Sequence, residues 1–143
     1  MNGFKSDNVI SGTWGEVWFN DQYMAETTSF SAELNPKYED VNMPRKLISG
    51  KKMVSIDTKG EIKLKKVSSY VMKTVSDNLK EGKVPSFKII SKVSDPDANG
   101  TERVVLYGCK FDKAILADWE QGKIGEESYS FTFEDWDILD SIS

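Results

Sequence analysis

In one place only does this chain space its apolar residues as a helix does, and that exception limits the folds open to it. Ser68 to Gly82 reads Ser-Ser-Tyr-Val-Met-Lys-Thr-Val-Ser-Asp-Asn-Leu-Lys-Glu-Gly. Val71, Met72, Val75 and Leu79 share one face of a 3.6-residue helix, with Lys73, Asp77, Lys80 and Glu81 mostly opposite. A hydroxyl of Ser68 or Ser69 can accept a free amide of the first turn. Gly82 reaches the left-handed conformation that ends a helix, and Pro85 forbids continuation. The spacing predicts a helix over about 69–81. A lone amphipathic helix hides its apolar face only against a sheet. The chain therefore reads as mainly β, an antiparallel β-barrel or sandwich with one flanking α-helix.

Period-two alternation supports that reading. Thr13 to Phe19 sets Val17 and Phe19 against Trp14, Glu16 and Trp18, and Asn20-Asp21 reads as a hairpin turn. Tyr23 to Leu34 reads as a strand with Phe30, Ala32 and Leu34 in phase. In Val54 to Val67, Ile56, Thr58, Gly60, Ile62 and Leu64 oppose Lys59, Glu61, Lys63 and Lys65. Ser86 to Val93 is a further strand. Glu102 to Phe111 is apolar on both faces, with Val105, Cys109 and Phe111 on one and Val104 and Leu106 on the other. Such a strand is covered on both sides, which in a small protein suggests a second subunit. Ile115 to Gly125 reads as a strand and loop holding Trp119. From Glu126 to Leu139, Tyr129, Phe131 and Phe133 are in phase. The phase then slips by one to Trp136 and Ile138, predicting a β-bulge near Glu134-Asp135.

Two segments break the alternation. Met1 to Gly12 reads as a mobile N-terminal arm. Asn35 to Lys52 holds Pro36, Pro44 and Gly50 and many charges, interleaved with Val41, Met43, Leu47 and Ile48. It reads as a long extended loop ordered by a partner. The 143 residues suit one domain, 1–143.

The inventory of reactive groups is poor. With no histidine, the commonest general base and metal ligand are missing. Cys109, the single cysteine, excludes an internal disulfide framework and reads as a small buried hydrophobe. No glycine-rich phosphate loop occurs. Carboxylate pairs such as Glu126-Glu127 and Asp135 with Asp137 read as surface charge. Asp95-Pro-Asp-Ala-Asn-Gly100 matches half a calcium loop, but its twelfth position is Leu106 rather than glutamate, so a plain turn is expected. The sequence thus predicts no enzyme, no metal and no cofactor. Met1 to Ile10 lacks the apolar run of a secretory signal, and no run reaches membrane-helix length, so no membrane binding by the subunit is expected. Charge is polarised along the chain. Residues 37–92 carry 14 basic and 6 acidic side chains, and residues 112–143 carry 2 and 9. Copies could attract one another head to tail if these lie on different faces. Nucleic-acid binding is not favoured, because the lysines alternate with acids and the basic strand 59–66 has no aromatic residue. An alternative to an assembly protein is a small β-barrel ligand-binding module with Trp14, Trp18, Trp119 and Trp136 lining its pocket.

Nearly the whole chain resembles a known family, from Ile10-Ser-Gly-Thr-Trp-Gly-Glu-Val-Trp-Phe-Asn20 onward. The likeness is strongest in Phe87-Lys-Ile-Ile-Ser-Lys-Val-Ser-Asp-Pro-Asp-Ala-Asn-Gly-Thr-Glu-Arg103 and in Ala117-Asp-Trp-Glu-Gln-Gly-Lys-Ile-Gly-Glu-Glu127. These stretches are similar to the tail tube proteins of contractile phages, defective prophages and R-type bacteriocins, whose fold is shared with the type VI secretion tube. The resemblance implies hexameric rings stacked into a hollow tube inside a sheath. It implies self-association, sheath, baseplate and terminator proteins as partners, and DNA only as lumen cargo. The implied location is a virion or phage-tail-like particle assembled in the bacterial host cytoplasm. The family's assembly regions match here the arm 1–12, the loop 35–52 and the terminal segment. Within the loop, Val41, Met43, Arg45, Lys46, Leu47 and Ile48 are the expected ring-stacking residues. A tube lined by strands would place Ser68–Gly82 away from the lumen.

Overall fold

The computed structural model describes residues 6, 9–66, 70–97 and 100–141. A 3-10 turn at Gly12–Trp14 leads into β1 (Gly15–Phe19), which buries Val17 and Phe19 as the alternation predicts. Asn20 and Asp21 both adopt positive φ, 49° and 78°, and β2 (Gln22–Tyr23) folds back on β1. Two left-handed residues in a two-residue loop match the twist of the strands they join.

The next strand begins after a break at 24–26, where buried Met24 donates its amide to the Val17 carbonyl. Strands β3 (Thr27–Val41) and β4 (Gly50–Lys65) then pair along their whole lengths as one antiparallel hairpin. This corrects the loop expected at 35–52. Residues 35–41 and 50–52 are strand, and only 42–49 connect them. The charges that suggested a loop are cross-strand partners instead, with Lys37 bound to Asp57 at 2.8 Å, Lys51 paired with Asp40 and Glu39 opposite Lys52. Pro36 is tolerated because β3 is an edge strand, bonded only to β4.

Helix α1 runs Tyr70–Lys80 and buries Val71 and Val75 in the core. Its apolar stripe is narrower than expected, since Met72 is half-buried and Leu79 is 47% exposed. Gly82 ends it at φ +76°, with its amide bonded to the Leu79 carbonyl and the Lys83 amide to that of Asn78. That pair of bonds satisfies two carbonyls the helix leaves open. The expected caps Ser68 and Ser69 lie outside the described residues, as does most of the arm 1–12.

Strands β5 (Phe87–Val93), β6 (Glu102–Phe111), β7 (Glu126–Thr132) and β8 (Asp135–Asp140) complete an antiparallel eight-stranded sheet in the order β2-β1-β5-β6-β7-β4-β3, with β8 also on β6. Most of β6 pairs with β5 and β8, and its last residues pair with β7. The sheet therefore folds over one core as a sandwich. Phe111 sits at the centre, with ring centroids 5.2–5.8 Å from Phe19, Phe87, Tyr129 and Phe131. Burying one such ring is worth about 1.5–3 kcal/mol, and each ring pair adds about 0.5–1.5.

Three further expectations change. The two apolar faces of β6 need no second subunit to explain them. A bulge at Tyr107-Gly108, with Gly108 at φ +65°, shifts the phase so that Leu106 joins Cys109 and Phe111 in the core, with Val104 packed beside them. Tyr129, Phe131 and Phe133 are all buried as predicted, but the slip after them is a corner rather than a bulge. Phe133 bonds Thr58 through both amide and carbonyl, the Glu134 amide bonds Tyr107, and the chain leaves β4 and continues along the same flank of β6 as β8. Ile115 to Gly125 forms no strand. It is a connection pinned at its ends, by the Asp112 amide on the Ser130 carbonyl and the Lys66 amide on the Gly125 carbonyl.

Candidate functional site

The hairpin arm is the feature that the core does not explain. β7 accompanies β4 only over 60–65, so residues 35–41 and 50–57 extend past the third strand. Because opposite residues share a face, the arm is amphipathic. Leu34, Pro36 and Tyr38 lie with Ile56 and Met53 on the side that continues the core face, and of these Leu34, Tyr38, Ile56 and Met53 are 41–57% exposed. Glu39, Lys37, Asp57 and Lys52 occupy the reverse. Asp57 raises the Lys37 amine above its usual range by a hydrogen bond and by its charge. An apolar strip uncovered along an edge strand is the kind of surface that marks an interaction site.

The structure divides the six expected stacking residues. Val41 ends β3, and the Met43 methyl folds back over Gly50. Arg45 takes φ 62° in the turn closed by the Lys46 amide on the Met43 carbonyl. Leu47 is fully exposed and Ile48 is 81% exposed. Sequence reasoning missed Tyr38, Met53 and the strip they extend. The signal was present, since the alternation Phe30, Ala32, Leu34 continues through Pro36 to Tyr38.

The remaining candidates supply little chemistry. The Asp95 carboxylate accepts the Ser11 and Asp97 amides, at 3.0 and 2.9 Å, as a turn does. Among the described residues no group of three acidic or cysteine side chains could hold a metal. Burial lifts the Cys109 thiol to about 12, which keeps it protonated and inert. Glu127, 5% exposed, receives the Tyr129 hydroxyl at 2.6 Å and the Lys66 ammonium at 2.6 Å. Burial first, and Glu127 second, push the Tyr129 phenol up. This cluster ties the core to the connection 112–125. The four tryptophans do not converge. Trp14 lies in the first turn, Trp18 beside Tyr23, Trp136 on β8, and Trp119 is 81% exposed on the connection. No cavity found among the described residues is lined by more than one of them.

Comparison with known proteins points the same way. Residues 2–140 match the family model described as phage tail tube protein. The phage-like element PBSX protein XkdM of Bacillus subtilis (strain 168) is 31% identical over 141 residues, 97% of this chain and 96% of that one. The tube-terminating cap of the anti-feeding prophage shares the fold, with a TM-score of 0.74 at 10% identity over 98% of this chain and 97% of that one. So does a chain of the PVC extracellular contractile injection system's sheath–tube complex, with a TM-score of 0.71 at 8% identity over 94% and 93%.

Proposed function

The chain belongs to the phage tail tube protein family, and from that premise we propose that it builds the tube of a phage or phage-like contractile tail. Six copies close a ring, rings stack into a hollow tube, and a sheath surrounds it. Sheath, baseplate and terminator proteins are its partners, and assembly takes place in the bacterial host cytoplasm. The observation that carries this reading is the hairpin arm. It projects an apolar strip and the exposed Leu47 and Ile48 past the third strand, a surface suited to cover by another protein. An arm reaching from one copy to a different surface of the next makes a heterologous contact, which grows rings and filaments. The arm would carry ring stacking, through Val41, Met43, Arg45, Lys46, Leu47 and Ile48.

Electron microscopy of concentrated protein tests both levels. Rings or rods are expected. Replacing Val41, Met43, Leu47 and Ile48 by serine should abolish tube growth while leaving the β-rich circular dichroism intact. Tubes of normal length from that variant would refute the stacking assignment. Monomers alone from the unaltered chain, even with tail partners present, would refute the tube.

A further inference from the structure

We infer that the hairpin tip of one copy of the chain seats Leu47 and Ile48 in an apolar groove between β3 and β8 of a second copy. The inference rests on the stacking role proposed for the arm, and it names the surface that receives the arm.

The groove opens where the chain leaves β4 after Phe133. Among the described residues, β3 is bonded only to β4 and β8 only to β6, so their outer edges are not joined to each other. Leu106 and Phe133 form the groove floor, and both are buried. Leu34, Val104, Trp136 and Ile138 form its walls. Ile138 is 66% exposed, although it lies across from Val104 on the face that elsewhere builds the core. The groove holds about 270 Å³. That is below the roughly 300–1,000 Å³ of ordinary small-molecule sites. It suits aliphatic side chains delivered by another protein surface.

Charge and reach choose the occupant. Segment 42–52 carries Arg45, Lys46, Lys51 and Lys52 and no acid. Segment 134–140, which includes β8, carries Glu134, Asp135, Asp137 and Asp140 and no base. Glu33 stands on the opposite bank of the groove. Lys51 is already held by Asp40, and Asp140 by Arg103. Arg45, Lys46, Glu33 and Asp137 have no ion-pair partner among the described residues. The tip therefore brings two unmatched cations beside its exposed apolar pair, and the groove has unmatched anions on both banks. The tip cannot fill the groove of its own chain. Val41 lies beyond Leu34 by about 20 Å of paired ladder, at about 3.3 Å per residue, and Leu47 lies beyond Val41. Folding the tip back would break the ladder that holds the arm. Tip and groove are thus different surfaces of one chain, and copies joined through them repeat head to tail. The apolar pair supplies affinity, and the charges beside it select partner and register.

Two charge-swapped chains test the pairing. One carries Arg45→Glu/Lys46→Glu and the other Glu33→Lys/Asp137→Lys, with circular dichroism showing that each keeps the β-rich fold. Each alone should lose tube growth, because like charges then meet. The mixture should regain it, because each tip finds a groove of opposite sign. Normal growth of both swapped chains alone assigns the groove to some other protein and overturns the inference. So does a mixture that fails to grow while the unaltered chain forms tubes. Contact is read separately by mixing Leu47→Cys with Ile138→Cys subunits and adding a short bis-maleimide, with the fully buried Cys109 silent. Covalent dimers should form in the mixed tubes and in neither chain alone. Mixed tubes without dimers overturn the inference, as do equal dimers from Leu47→Cys alone, which mean tip-to-tip contact. If the serine variant of the arm stops growth while these tests fail, the arm stacks on a different surface and only the groove assignment falls. No tubes from the unaltered chain would overturn the tube reading and this inference with it.

Discussion

Replacing Gly60 by alanine tests how the base of the hairpin is joined to the core. A Cβ there would lie 2.2 Å from Phe131 Cζ and 2.3 Å from Cε2. Carbon atoms in good contact are about 3.5 Å apart, so the ring must retreat by about 1.3 Å. It cannot swing freely, being 1% exposed, stacked on Phe30 at 5.9 Å and edge-on to Phe111 at 5.8 Å. Overpacking of this kind costs about 1–3 kcal/mol. The stiffer unfolded chain returns about 0.4–1 kcal/mol. A net loss of about 1–2 kcal/mol is expected. With a urea slope of about 1–3 kcal/mol per molar, the midpoint falls by about 1 M. The assay is urea unfolding followed by circular dichroism, under conditions that keep the subunit dispersed. Phe131→Leu supplies the control, because leucine removes the ring edge that the new methyl meets. In that background Gly60→Ala should cost nothing, giving a coupling of about 1 kcal/mol or more between the two sites. Equal cost in both backgrounds, or no cost in either, would refute the account of Gly60 as the site that admits the Phe131 ring.

Gly82→Ala should destabilise by about 1–2 kcal/mol in the same assay, because φ +76° is strained for any residue with a Cβ. Gly82→Asn should lose less. Glu127→Ala strands the buried Tyr129 hydroxyl and should cost about 1–3 kcal/mol, whereas Glu127→Gln keeps an acceptor and should cost less. The Cys109 thiol is lifted from 9.0 to about 12, so the unfolded chain loses this proton first. Its contribution is complete below about pH 9 and declines as pH rises toward 12, by at most about 1.4 kcal/mol per pH unit. Tyr129, also raised, adds a second decline above its ordinary 10.0. Stability measured against pH should therefore fall less steeply between 9 and 12 for Cys109→Ala than for the unaltered chain.

Much of the fold was legible in the sequence because it is set by neighbours in the chain. The helix, its glycine stop and the Asn20-Asp21 turn depend on residues within a few positions. The bounds of β6 and the buried trio Tyr129, Phe131 and Phe133 follow from strict alternation. The family was legible too, since its likeness extends over nearly the whole chain. The candidate site was only half visible. Val41, Met43, Leu47 and Ile48 stood out as apolar residues without a phase, but the strip through Tyr38 and Met53 did not.

Pairing across sequence decided the rest. Charges at 37–40 and 51–57 resemble a loop when read alone, and become a strand ladder once Lys37 meets Asp57 and Asp40 meets Lys51. In a run apolar on both faces, Leu106 joins Cys109 and Phe111 in the core once Gly108 opens a bulge opposite β5, and Val105 is buried on the other face within the same chain. The slip after Phe133 becomes a departure from β4 while the chain keeps its register on β6, rather than a bulge. The sequence by itself determined where strands and the helix lie, because their apolar periods are local. Only the tertiary structure decided which strands are neighbours and how far the arm projects, because each depends on residues brought together from distant positions.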